Sequence, residues 1–163
     1  MVKKKNNSKI YFGLFIAFLM ISSTVGFMYG GGAETKKING YKFTKVDGGW
    51  QTYIEEIESY WRFTYLPNEI NFDIDFGEFN VYPENELSKP YTDKIKFIML
   101  YSGKEVEILD EKNCDGEIQL LILNHSYNDV IISEEENCIL VNGNLNKFVD
   151  GLTYKIFGVI KNE

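Results

Sequence analysis

Histidine is nearly absent from this sequence: His125 is the only one among 163 residues. Cysteine is scarce as well, with Cys114 and Cys138 alone and no C-x-x-C spacing. Structural zinc sites gather several Cys and His ligands, so this inventory argues against one, and no metal is expected. No G-x-S-x-G, P-loop, H-E-x-x-H or dinucleotide fingerprint occurs either. Neither a nucleophile elbow nor a phosphate-cradling loop is therefore signalled, and no cofactor or catalytic residue is expected. His125 and Ser126 are adjacent, but neighbours on a strand point to opposite faces, which spoils a triad. His125 reads instead as a polar residue where a buried strand ends.

Acidic residues are missing from the start of the chain. Before residue 31 stand Lys3, Lys4, Lys5 and Lys9 and no Asp or Glu, so all 24 acids and 13 of the 17 bases follow. The later part therefore carries a net charge of −11. Such a surface repels phosphate backbones, so nucleic acid is not an expected partner.

What the start does contain is an apolar run. Ile10 to Tyr29 holds no charge, and as a helix it would span about 30 Å, the thickness of a bilayer core. Tyr11 and Tyr29 mark its ends, where amphipathic rings prefer the interface. A cleavable signal is the competing reading. Ile10 to Ile21 has the length of an h-region, and small residues recur at Thr24-Val25-Gly26 and Gly31-Gly32-Ala33, although neither is an A-x-A site. The run continues to full spanning length, which favours a retained anchor. A buried core helix fits less well, since the run has no polar face.

The rest, with 44% apolar and 15% aromatic residues over the whole chain, supports one domain of ordinary size. "NGYKFTKV", "WQTYI" and "YWRFTYL" read as three antiparallel strands, with Asp47-Gly48-Gly49 as a hairpin turn. Trp61, Phe63 and Tyr65 share one face of the third strand. "EINFDIDFGEFNVYP", "KIKFIMLYS" and "KEVEIL" read as further strands, and "IQLLIL" as a buried central one. "DVII" and "CILVNG" follow as strands. Leu145, Phe148, Val149, Leu152, Ile156 and Phe157 then fall on one helical stripe, opened by Asn144 and closed by Gly158. The fold class expected is α+β: an N-terminal transmembrane helix, then an antiparallel β-rich domain with a three-stranded meander and a C-terminal helix packed on the sheet. The organisation expected is a basic cytoplasmic tail (1–9), the transmembrane helix or signal anchor (10–30), a linker (31–37) and an exported domain (38–163).

The phrases "NGYKFTKVDGGWQTYI…YWRFTYLP", "NCILVNG" and "DGLTYKIFGVI" resemble those of small, N-terminally membrane-anchored archaeal proteins of unknown function. The resemblance covers most of residues 38–160 and implies a similar membrane segment and paired cysteines, with no activity attached.

Export exposes Cys114 and Cys138 to oxidising surroundings, where an even cysteine count points to a disulfide. Asn124-His125-Ser126 matches the N-glycosylation acceptor pattern. Asp73, Asp75 and Glu84 suggest a calcium loop, but Glu78 stands where an EF-hand needs glycine. Trp50, Tyr53, Tyr60 and Trp61 form either an aromatic platform or half-buried strand chemistry. The function expected is a non-catalytic surface domain at the cell membrane, single-pass with its C-terminal domain outside, contacting an unknown envelope protein or glycan. A hydrolase using Asp73 and Asp75, and a pilin-like subunit, are the alternatives.

Overall fold

The computed structural model describes residues 33–72 and 77–160. The first four strands form an antiparallel sheet in the order β1-β2-β3-β4: β1 Thr35–Ile38, β2 Tyr41–Val46, β3 Gly49–Ile54 and β4 Ser59–Phe63. Four strands stand where three were expected, because Thr35–Ile38 pairs with β2 through Ile38↔Tyr41 to Thr35↔Thr44. The overlooked signal is Asn39-Gly40. Both residues take positive φ (51° and 91°), the conformation that a two-residue hairpin turn requires.

The second sheet has the order β5-β6-β8-β7, from β5 Phe79–Pro83, β6 Gln119–His125, β7 Ile131–Glu135 and β8 Cys138–Gly143. It corrects the antiparallel expectation. β5, β6 and β8 run parallel, and only β7 is antiparallel to its neighbour. A parallel pair needs a crossover, and helix α1, Lys89–Tyr101, supplies it between β5 and β6. Its residues include "KIKFIMLY", expected above as a strand. The run reads ambiguously because α1 is apolar on two sides: Ile95, Ile98 and Met99 are buried, while Phe97, Leu100 and Tyr101 face out. Pro90 in its first turn is the helix signal that the apolar run obscures. Among the described residues of "EINFDIDFGEFNVYP", Phe79–Pro83 is strand. "KEVEIL" makes a single bridge, Ile108 to Val81, and extends the sheet past β5 without becoming a full strand.

β6 lies between two parallel neighbours and is buried on both faces. Leu121 and Leu123 face the main core, and Leu120 and Ile122 face the other side. That other side is covered by a strap, residues 102–118, through Leu109 and Cys114. Cys114 and Cys138 form a disulfide with Cα atoms 5.3 Å apart, fastening the strap to β8.

Helix α2, Leu145–Ile156, begins where the stripe predicts, with Asn144 accepting from the Lys147 N–H at 3.3 Å. It does not rest on one sheet only. Its Tyr154 ring packs on Phe43 and Phe63 of the antiparallel sheet, and its other side contacts β6 and β8. Segment 70–72 crosses close over it at Gly151, where a Cβ would lie 2.7 Å from the Phe72 ring. The transmembrane helix expected over 10–30 lies outside the described residues. Among those residues no helix is long and apolar enough to cross a membrane.

Candidate binding surface

β4 is one edge of the antiparallel sheet and hydrogen-bonds to β3 alone within it. Alternation along "SYWRF" turns Tyr60 and Arg62 outward and Trp61 and Phe63 toward the core. Trp61 remains half-buried because α1 passes beside it. On α1, Phe97, Leu100 and Tyr101 are spaced i, i+3, i+4 and share one helix face. Phe97 lies 6.0 Å and Tyr101 6.1 Å from the Trp61 ring, and they are 4.7 Å from one another. Buried Phe157 supports the indole from below at 6.0 Å. Phe97 and Tyr101 are each 50% exposed and Leu100 is 66% exposed. Exposed apolar side chains grouped like this beside a sheet edge make the cluster a candidate contact surface. Fully burying an exposed side chain of this kind is worth roughly 1.5–3 kcal/mol, and these, already partly buried, would gain about half of that on being covered.

The outer face of the same sheet has a different chemistry. Register places Lys37 opposite Lys42, and Tyr53 opposite Tyr60. The tyrosine rings meet edge to face at 5.2 Å and are 42% and 68% exposed. The four aromatics, read from the sequence as either a platform or half-buried strand chemistry, are therefore divided. Tyr53 and Tyr60 lie on the outer face, and Trp50, 8% exposed, and Trp61 lie on the inner one.

The remaining sequence candidates scatter. Asp73 and Asp75 lie outside the described residues, while Glu78 and Glu84 are exposed. Asn124 is half-buried near the end of β6, its Oδ1 accepting from Asn85 Nδ2 at 2.7 Å. His125 ends that strand as the sequence suggests, stacked on Tyr91 at 5.1 Å, with Tyr127 edge-on at 5.6 Å. Its Nδ1 is buried without a hydrogen-bond partner. Ser88 Oγ accepts from the His125 backbone N–H at 3.0 Å. A hollow of about 380 Å³ near the start of α1 is lined by Lys89, Asp93 and Asp110. Among the described residues, no three or more His, Cys, Asp or Glu side chains are grouped to hold a metal.

Trp61 was visible in the sequence as a candidate, but Phe97, Leu100 and Tyr101 were hidden inside an apparent strand. Their helical spacing after Pro90 was the available signal. Comparison with known proteins adds no relative: no family model matches the chain, and no curated protein or solved structure matches it significantly.

Proposed function

We propose that the chain is a non-catalytic binding module of the cell envelope, held at the membrane by the apolar run of residues 10–29. It engages a partner protein through the Trp61, Phe97, Leu100 and Tyr101 patch and the adjoining β4 edge. The exposed aromatic cluster carries this reading, because aromatic anchors beside an open edge suit a protein contact. Export is supported by the Cys114–Cys138 disulfide, a bond that persists in oxidising compartments.

A photo-crosslinking residue at position 100, introduced in the native membrane, should capture one dominant partner. The same residue at Ile131, 64% exposed on β7, serves as the control. Phe97→Glu places a charge within the patch at an already exposed site, so the fold persists while capture falls by about tenfold. Equal capture at both positions, or capture indifferent to Phe97→Glu, would defeat the proposal.

A further inference from the structure

The first hairpin, β1 with β2, departs from the charge of the rest of the domain. Residues 35–46, "TKKINGYKFTKV", contain four lysines and no acid, whereas the part after residue 30 is −11 as a whole. Pairing brings these lysines together. Lys37 and Lys42 lie directly opposite on the outer face, an arrangement that repulsion disfavours in an isolated sheet. Their backbones are tied into the sheet, with Thr52 Oγ1 donating to the Lys42 carbonyl at 3.0 Å, but neither ammonium group has a hydrogen-bond or ion-pair partner among the described residues. Lys36 and Lys45 project to the other face and cover the Trp50 ring at 4.8 and 5.7 Å. β1 is the edge opposite β4, so its lysines rim the sheet on the side away from the aromatic patch. In sequence, only Gly30, Gly31, Gly32, Ala33 and Glu34 separate the apolar run from this hairpin. Single acids flank the hairpin at its Thr35 end, Glu34 before β1 and Asp47 after β2, and Glu55, Glu56 and Glu58 follow β3 at the Asn39-Gly40 end.

We propose that the β1–β2 hairpin docks on the anionic headgroups of the bilayer, with Lys37 and Lys42 as its principal contacts. Lysines beside a membrane segment are attracted to a negative lipid surface over about one Debye length. In an acidic domain this hairpin is the region that such a surface attracts. Docking by β1 leaves β4 and the Trp61 patch facing away from the lipid. The inference rests on the membrane attachment proposed above, and its test separates the two.

Full-length protein is reconstituted in vesicles of phosphatidylcholine alone, and in vesicles with about 30% phosphatidylglycerol. Lysine acetylation rates are then read by mass spectrometry. Lys37 and Lys42 should react about fivefold more slowly on the anionic vesicles, and Lys104 and Lys112 of the strap at unchanged rates. About 0.5 M salt should abolish the difference. Equal rates on both vesicle types overturn the docking, while flotation with the neutral vesicles still upholds membrane attachment. Failure to float with neutral vesicles overturns the attachment itself. Stronger protection of Lys37 and Lys42 by a soluble polyuronate than by phosphatidylglycerol would reassign the hairpin to an acidic polysaccharide and overturn the lipid proposal.

Discussion

Asp150 is the one charged side chain among the buried residues described, and it lies inside the central helix. One carboxylate oxygen accepts from the backbone N–H groups of Thr64 at 2.7 Å and Tyr65 at 2.9 Å. These donors lie just beyond β4, where the chain leaves the sheet ladder, and Asp150 satisfies them in place of a strand. Burial pushes its carboxyl up to about 7, outweighing the two N–H donors and the more distant Lys94 cation, which pull it down. An acid whose folded value is raised binds its proton more tightly folded than unfolded. Its stabilising contribution is therefore full below about pH 4, declines as pH rises toward 7, and is absent above that. The amplitude is on the order of 4 kcal/mol. Asp150→Asn keeps an oxygen for both N–H groups and has nothing to ionise. Urea unfolding from pH 4 to 7.5 should show the variant gaining on the parent through this window and holding level above it. A gap that stays constant with pH would mean that the carboxylate is charged throughout.

Among the elements, the strap over the second sheet is the one that depends on a covalent bond. It has little regular structure. Beyond the disulfide it is held by two backbone bonds to Val81, by the Glu107 N–H to Asn80 Oδ1, by Asn137 Nδ2 to the Gly116 carbonyl, and by Val106 in the main core and Leu109 against the sheet. Closing the 24-residue separation should stabilise the fold by about 3 kcal/mol on chain-entropy grounds. Cys114→Ser alters the half-buried end of the bridge, so it should lower Tm by about 10 °C without unfolding the domain. Amide exchange at Leu109, which donates to the Val81 carbonyl, should accelerate while the centre of β6 stays protected. Unchanged exchange there would show that packing alone holds the strap. The pairing partners were legible from an even cysteine count, and α2 from its stripe and its Asn144 cap. α1 was not, since apolar residues on two faces erase the polar stripe that marks a helix. Parallel pairing was equally hidden, because β5 and β6 meet from about forty residues apart and no local turn announces it. The exposed aromatic patch joins Trp61 to Phe97 across a similar gap, so its members were readable singly and not as a group.

At the scale of the whole domain, α2 packs both sheets against one core. A single core cluster holds Phe43, Trp50 and Phe63 from the antiparallel sheet, Val81, Leu121 and Val141 from the mixed sheet, and Phe148, Leu152 and Tyr154 from the helix between them. The Tyr154 hydroxyl donates to the Tyr65 carbonyl at 2.5 Å, and burial pushes its phenol well above the usual tyrosine range, so it stays protonated and bonded. Neither sheet can lose α2 without exposing its inner face, and the two should therefore unfold together. The sequence supplies a direct probe of this, since its two tryptophans, Trp50 and Trp61, both belong to the antiparallel sheet. Since Trp61 also touches α1, a Trp61→Phe background leaves Trp50 fluorescence to report the antiparallel sheet, while far-ultraviolet circular dichroism reports both. Leu120→Ala removes buried volume from the strap side of the mixed sheet, away from the shared core, and should cost about 2–5 kcal/mol. If the core is shared, this change shifts the fluorescence midpoint by the same amount as the dichroism midpoint. A fluorescence transition that stays in place while the dichroism transition moves would mean that the antiparallel sheet melts independently, and that α2 separates the layers without coupling them.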